Sequence, residues 1–326
     1  MEQVTVKKGG ERLDVVLASF FEPLSRRRAR ALCEQGLVRV NGIFERKAGR
    51  ILSQGDTVEL EHLPAPVQAR PDKALKAGGP LSRIEVLYED EHLLAIAKPA
   101  AMPSVTLHEE DEITAADCLA AYCPATISAS KDARESGLVQ RLDFYTSGAL
   151  LAAKSPDVWQ ELHRQLIAGS VQKRYFALVE AALEKKHDIA APLVQSRDGK
   201  KMTVAARDTA LADEGPACHT FVTPCGSFSH AALGAEATLV QISCAHAKRH
   251  QIRVHLAHIG HPLAGDELYG SRFPGCALPD LSNGKTRKGF FLHAEQIDLL
   301  HPVTGRPLTV RASSSELDYL RKQVGG

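Results

Sequence analysis

Two segments of the chain carry residue types whose order suggests chemistry. In residues 140–148, QRLDFYTSG, a single carboxylate, Asp143, ends an apolar stretch and is followed by hydroxyl residues and glycine. Such a strand end can present one carboxylate into a cleft. It can also hold a structural aspartate that caps the turn, through Asp143 itself or with Thr146 and Ser147. The second segment, residues 248–269, KRHQIRVHLAHIGHPLAGDELY, sets Ile252, Leu256 and Ile259 on one helical face with Lys248, Arg249 and Arg253 nearby. A carboxylate that stays ionised in a partly desolvated cleft needs a cation, and arginine is the best geometric match. His250, His255, His258 and His261 also lie here, but a spacing of three drifts around a helix, and Gly260-His261-Pro262 ends it. Without HExxH or a neighbouring cysteine pair, surface or hydrogen-bonding histidines are expected, and no metal.

The elements around these segments alternate short apolar runs with turns. Residues 84–87, 93–97, 138–142, 149–153, 175–179 and 238–243 read as strands. Ser155-Pro156 opens a helix with Val158, Leu162 and Leu166 on one side, closed by Gly169. The order lacks regular βαβ alternation, so the expected class is α+β, with a mixed, largely antiparallel sheet.

Upstream lies a different kind of segment. Residues 26–50 hold eight basic residues (Arg26, Arg27, Arg28, Arg30, Arg39, Arg46, Lys47 and Arg50) against Glu34 and Glu45, whereas residues 84–326 hold 25 basic and 29 acidic ones. The whole-chain charge of +1 therefore conceals a local surplus, and local clustering decides whether phosphates are attracted. A first helix is expected over residues 12–21. A second runs over residues 26–35, with Ser25 as N-cap and Gly36 as a left-handed stop. Residues 37–40 and 56–60 read as strands, with Asn41-Gly42 as a tight turn. This module resembles the small RNA-binding domain first described in the ribosomal small-subunit protein S-four, in RLDVVLASFF, SRRRARALCEQGLVRVNG and KAGRILSQGDTVEL. The resemblance implies that Arg26, Arg27, Arg30 and Arg39 face RNA phosphates. Residues 64–83, rich in proline and glycine, read as an exposed linker. The expected organisation is thus a module at 1–63, a linker at 64–83 and a larger unit at 84–326.

Composition narrows the classes further. With 326 residues, 44% of them apolar, the chain has material for about two domains. Seven scattered cysteines, never as CxxC, argue against a disulfide framework or a zinc ribbon and suggest a reducing compartment. No apolar run reaches the roughly 20 residues of a membrane helix, and MEQVTVKKGG lacks the apolar core of a signal peptide. A cytoplasmic location without membrane association is expected.

With these readings in place, QRLDFYTSGALLAAKS resembles the central motif of the RluA-type pseudouridine synthases, HRLDxxTSGxxxxAK. Four further stretches agree in order: AIAKPAAMPS, KRYFALVE, RHQIRVHLAHIGHPLAGDELYG and FLHAEQIDLLHPVTG. Three departures stand out. Gln140 replaces the usual histidine, Ala97 an asparagine, and His246-Ala247-Lys248 the usual TGR, where lysine cannot form a guanidinium fork.

The resemblance implies isomerisation of uridine in RNA to its carbon-linked isomer, with no cofactor and no metal, by a protein expected to be monomeric. Ribosomal RNA of the large subunit is the expected substrate and transfer RNA the alternative. The target nucleotide would leave the stack to reach the site. By the same resemblance Asp143 is the essential carboxylate, acting as nucleophile or base, and Arg253 pairs with it. Tyr175 stacks on the uracil and can handle a proton, or is simply a core aromatic. Arg141 fills the gap left by the flipped base, or contacts phosphate, and Lys248 adds an RNA contact. Two readings compete. One is a non-catalytic RNA-binding protein of ribosome assembly, supported only by the three departures. The other is a metal-dependent RNA hydrolase, for which no clustered carboxylates appear.

Overall fold

The computed structural model describes residues 2–325 except 22–23, 25, 61–67, 108–111, 197–198, 206–217, 231–234, 273–277, 281–284 and 288. The chain divides into two compact units, residues 1–66 and 67–326.

The first unit contains β1 (Glu2–Thr5), α1 (Leu13–Phe20), α2 (Arg26–Glu34), β2 (Val38–Val40), β3 (Ile43–Phe44) and β4 (Thr57–Leu60). Its strands form one antiparallel sheet in the order β1-β4-β2-β3. Both turn residues between β2 and β3, Asn41 and Gly42, have positive φ (53° and 76°), the geometry that keeps a two-residue hairpin in step with strand twist. Leu13, Val16 and Leu17 of α1, Ala29, Leu32 and Cys33 of α2, and Val38, Val40, Val58 and Leu60 of the sheet form one closed core. Each large aliphatic side chain there contributes roughly 1.5–3 kcal/mol by leaving water. The expected N-cap, Ser25, lies outside the described residues, as does the side chain of Arg27.

The second unit contains α3 (Pro71–Lys76), β5 (Glu85–Glu89), β6 (Leu93–Lys98), α4 (Ala115–Tyr122), β7 (Ser147–Ala153), α5 (Pro156–Ile167), β8 (Gln172–Glu180), β9 (His187–Ala190), β10 (Leu193–Gln195), β11 (Met202–Val204), β12 (His219–His230), β13 (Ala235–Cys244), α6 (Gln251–His258), β14 (Leu278–Asp280), β15 (Lys285–Arg287), β16 (Leu292–Leu300), β17 (Pro307–Arg311) and α7 (Ser315–Val324). Nine strands form the main sheet in the order β5-β6-β7-β16-β8-β13-β12-β9, with β17 beside β16. Only β7 and β16 run parallel; every other pair is antiparallel. The α+β class and largely antiparallel sheet are as expected.

Local chemistry accounts for the helix ends. Ser155 Oγ accepts from the Val158 amide at 3.5 Å, Pro156 occupies the first turn, and Gly169 closes the helix at φ 69°. Thr114 and Asp117 form a reciprocal capping box at the start of α4.

Two expectations need correcting. Of the expected linker 64–83, residues 64–67 lie outside the described residues, and residues 68–83 are not an extended linker, because part of this stretch is helical and belongs to the second unit. Pro71 sits in the first turn of α3, where its missing amide costs nothing, so a proline counted toward a linker in fact starts a helix. Arg70, just before α3, donates from Nη2 to the buried Asp117 carboxylate at 2.9 Å and to the Glu112 carbonyl at 2.9 Å. Residues 138–142 are not a strand either, apart from one isolated bridge between Leu138 and Ala152. Their polar groups are met one by one instead: the Val139 amide donates to the Leu151 carbonyl at 3.1 Å, and Ser104 Oγ donates to the Leu142 carbonyl at 2.7 Å and accepts its amide at 3.0 Å. That exchange leaves residues 139–146 as a shaped loop leading into β7.

The turn into β7 depends on Gly148. It has φ 115°, and a Cβ there would lie 2.3 Å from the Ala294 carbonyl oxygen on β16. Gly148→Ala should therefore cost at least about 1–3 kcal/mol in backbone strain alone and displace the loop that carries Asp143. Urea midpoints for the two proteins check the first effect, and turnover of the folded variant the second.

Candidate active site

The register of the sheet sets the geometry. Gly148 on β7, Ala294 on β16 and Tyr175 on β8 are consecutive partners in one row across three strands. Two of the three positions in this row, Gly148 and Ala294, carry nothing larger than a methyl group. α6 supplies Arg253.

Asp143 Oδ2 accepts a hydrogen bond from Arg253 Nη1 at 3.0 Å. Arg253 is itself held from behind: Nε meets Asp266 Oδ2 at 2.7 Å and Nη2 meets Asp266 Oδ1 at 2.9 Å, a two-pronged pair buried on both sides. Its guanidinium carbon lies 4.6 Å from the centre of the Phe290 ring and 4.9 Å from that of Tyr269. Burial works against the guanidinium charge, but Asp266 and Asp143 outweigh it and raise the pKa. Arg253 thus cannot swing or lose its proton, and one Asp143 oxygen is fixed by it.

The other oxygen, Oδ1, lies 3.9 Å from His250 Nε2. His250 precedes α6 in a left-handed conformation, φ 56°, and its Nδ1 is 2.7 Å from the Tyr269 hydroxyl. Tyr175 is 5% exposed. Burial, with smaller contributions from Cys244 and Asp143, pushes its phenol well above the ordinary value, so it stays protonated at neutral pH. The Asp143 loop is held from below by Lys98, whose Nζ donates to the carbonyls of Pro99 (2.8 Å), Met102 (2.8 Å) and Phe144 (3.3 Å).

Arg253 pairs with Asp143, and Tyr175 lies within electrostatic range of the same carboxylate. Arg141 is exposed two residues before Asp143, with the carboxylates of Asp132 and Glu135 within electrostatic range. Lys248 is engaged with the Cys218 thiol rather than with Asp143. Among the departures, Ala97 packs against Leu93 and Ala95 on the sheet face opposite Leu94, Ile96 and Tyr175, away from the site. His246 Nε2 contacts the Ile167 carbonyl at 3.1 Å, and Gln140 Oε1 is buried with no hydrogen-bond partner. Asp266, Lys98 and Tyr269 were not picked out from the sequence, and His250, grouped there with the surface or hydrogen-bonding histidines, is hydrogen-bonded to Tyr269. The GDELY run places an acid thirteen residues after Arg253, and Lys98 interrupts an apolar strand, which are the signals that could have found two of them.

His255 and His261 are occupied by hydrogen bonds, to Thr220 and the Ala191 carbonyl and to the Glu180 carbonyl respectively. Among the described residues no His, Cys, Asp or Glu cluster could hold a metal, and no helix is long and apolar enough to cross a membrane.

In the first unit, Arg26 and Arg30 share one buried carboxylate. Asp14 accepts from Arg12 (2.9 and 3.1 Å) and Arg30 (2.9 Å), and lies 3.7 Å from Arg26. Hydrogen bonding from Arg12, against the opposing effect of burial, holds the Asp14 carboxyl far below the usual range. Arg39 lies over the exposed Phe44 ring at 4.1 Å.

Comparison with known proteins decides the family. Residues 92–258 match the model of the RNA pseudouridylate synthases, and residues 11–58 match that of the S4 domain. The chain belongs to the RNA pseudouridylate synthase family. It is 32% identical over 323 residues to ribosomal large subunit pseudouridine synthase D of Xylella fastidiosa, covering 96% of this chain and 89% of that one. It is 31% identical over 320 residues to ribosomal large subunit pseudouridine synthase C of Escherichia coli, covering 96% and 92%. The fold is similar to that of human RNA pseudouridylate synthase domain containing 1, with a TM-score of 0.53, 20% identity and coverage of 71% and 83%. As a member of the family, this synthase is an isomerase of uridine in RNA.

The buried Lys98 gives the synthase a pH signature. Burial lowers its pKa from 10.5 to about 7, while the charge of Asp143 pulls it upward. Between those values the unfolded chain carries a proton that the folded chain has released, so stability rises with pH across that window. Relative to Lys98→Met, the wild type should gain stability from about pH 7 to about pH 9.5, as read by urea unfolding at several pH values.

Proposed function

We propose that this synthase converts uridine to pseudouridine in large-subunit ribosomal RNA, with Asp143 as the catalytic carboxylate. The observation that carries the reading is the pairing of Asp143 with the clamped Arg253 beside a buried, protonated Tyr175. The ribosomal substrate rests on the names of the relatives similar to nearly the whole chain.

The reaction breaks the bond between the uracil N1 and the ribose, turns the freed ring, and forms a bond from C5 to the same sugar carbon. C5 then loses its proton and N1 gains one, so atoms balance without oxidant or cofactor. Asp143 acts on the sugar or base, as nucleophile or as base, and the Arg253 contact keeps one oxygen occupied so that the other is presented to the substrate. The neutral phenol of Tyr175 offers a flat face for the detached uracil, and its high pKa suits it to donate or relay a proton rather than to act as a phenolate. Arg141, exposed next to the carboxylate, is suited to replace the flipped base in the stack, and Lys248 contributes positive potential from a greater distance.

In the first unit, Arg26, Arg27, Arg30 and Arg39 meet RNA phosphates. The exposed arginines of α2 and the Arg39–Phe44 pair support this, since such a surface attracts the backbone and offers a ring for stacking. Replacing Arg26 and Arg39 with glutamine should weaken RNA binding and lower the slope of log K against log salt by about 0.7–0.9 for each lost contact. An unchanged slope would remove these residues from the interface.

Asp143→Asn tests the catalytic assignment. Asparagine keeps the shape and turn hydrogen bonds but has neither the charge nor the basicity. Tritium release from C5 of labelled uridine in ribosomal RNA should fall by at least about 10⁴-fold, with RNA affinity largely retained. Release near the wild-type rate would refute the assignment. Mapping pseudouridine in RNA from cells with and without the gene identifies the substrate, sites missing from transfer RNA alone being the result against the ribosomal reading.

A further inference from the structure

Among the described residues, one of the two oxygens of Asp143 has no partner in hydrogen-bond range. Arg253 holds Oδ2, while Oδ1 faces His250 Nε2 across 3.9 Å. What His250 can offer is determined by its other nitrogen. The Tyr269 hydroxyl oxygen accepts the Met202 backbone amide at 3.0 Å. With that acceptor site filled, the hydroxyl can donate its single proton to Nδ1 of His250, 2.7 Å away. In the tautomer that accepts this proton at Nδ1, the ring's only N–H is on Nε2, on the side of Asp143.

The backbone agrees with a site-directed role. His250 adopts φ 56°, a left-handed conformation that is unfavourable for a residue with a Cβ and is retained where the surroundings enforce it. Arg249 anchors the adjacent position by donating to the carbonyls of Gly199 (3.1 Å) and Lys200 (2.8 Å). The rings of His250 and Tyr269 meet edge to face at 5.6 Å.

We propose that His250 is a positioning residue for the isomerisation, a neutral donor whose tautomer is set by Tyr269 and whose Nε2–H orients the reactive oxygen of Asp143. This rests on Asp143 being the catalytic carboxylate. Closure of about 1 Å on substrate binding turns the 3.9 Å approach into a hydrogen bond, as is common for catalytic contacts that are long in the free enzyme. A neutral donor is better suited here than a second cation, which would lower the basicity and nucleophilicity of the carboxylate. The charged and titratable groups facing the ring are Asp143, Asp266, Arg249, Arg253 and Tyr269. Burial chiefly, with the two arginines, lowers the imidazole pKa from 6.5 against the upward pull of the carboxylates. The protein thus keeps His250 uncharged at neutral pH.

The test compares His250→Ala, His250→Gln and Tyr269→Phe with wild type, measuring kcat and KM by tritium release on the same RNA, with melting curves to establish folding. His250→Ala should lose kcat on the order of 10–100-fold with little change in KM, the range expected for a small displacement of a reacting group. His250→Gln, whose amide can still donate, should recover part of that loss. Tyr269→Phe frees Nδ1 to take a second proton, so the acid limb of its kcat profile should move to higher pH than in wild type, between about pH 5 and 8. A folded His250→Ala with kcat within a factor of about two of wild type overturns the proposal, as does a loss confined to KM. A Tyr269→Phe profile that superimposes on the wild type overturns the tautomer assignment. Asp143→Asn, assayed in parallel, separates the two readings: an active Asp143→Asn fails the catalytic carboxylate itself, whereas an inactive one with normal His250→Ala fails only the positioning role.

Discussion

The catalytic unit depends on one buried guanidinium. Arg253 is flanked by two carboxylates, Asp266 and Asp143, with Phe290 and Tyr269 near its cation. A buried ion pair is rarely a large net source of stability, because desolvation offsets much of the attraction. Its value here is geometric. Asp266 uses two of the guanidinium's donor atoms and so fixes the direction of the third, which leaves Asp143 only one way to be held. The rest of the unit serves to bring that third donor and the Asp143 loop together. The sheet row carries residues small enough to leave space, Lys98 ties the loop's carbonyls, and α6 ends at His258 before the turn that returns Asp266 to the same arginine.

The same logic explains why the loop before β7 is irregular. A regular strand over residues 138–142 would have spent its backbone groups on neighbours in the sheet and carried Asp143 along a fixed alternation. Ser104 and Lys98 instead satisfy individual carbonyls and an amide, so the chain can bend without burying unpaired polar groups. Catalytic loops are commonly positioned in this way on a rigid scaffold.

The fold was largely legible because its signals were local. Pro156 and Gly169 bracket α5, Asn41-Gly42 turns the first hairpin, and the apolar periods mark most strands. Asp143, Tyr175 and Arg253 could be singled out because ordered motifs surround them. Pairings between separate segments were not visible. The acid thirteen residues after Arg253 is visible in the sequence, but that Asp266 takes both remaining donors of Arg253, or that the Tyr269 hydroxyl meets Nδ1 of His250, depends on tertiary contacts. Residues 68–83 misled for a different reason: proline and glycine density resembles a linker, but Pro71 sits where a helix tolerates it, and Arg70 docks on Asp117. The Ala97 departure looked close to the site in sequence, yet strand alternation turns it to the opposite face.

The carboxylate of Asp14 gives the basic face of the first unit a further property. Three arginines converge on one buried, permanently ionised oxygen pair, so part of their positive charge is already balanced within the free protein. Two consequences oppose each other. The long-range pull on a polyanion is weaker than a count of arginines implies. The guanidinium groups, however, have already surrendered much of their rotational freedom, so a phosphate arriving at their outer edges meets donors set in a fixed array and orders little more. A surface of this kind favours a rigid backbone of matching spacing over a flexible one of equal charge, selecting for the shape of the nucleic acid before any base is touched.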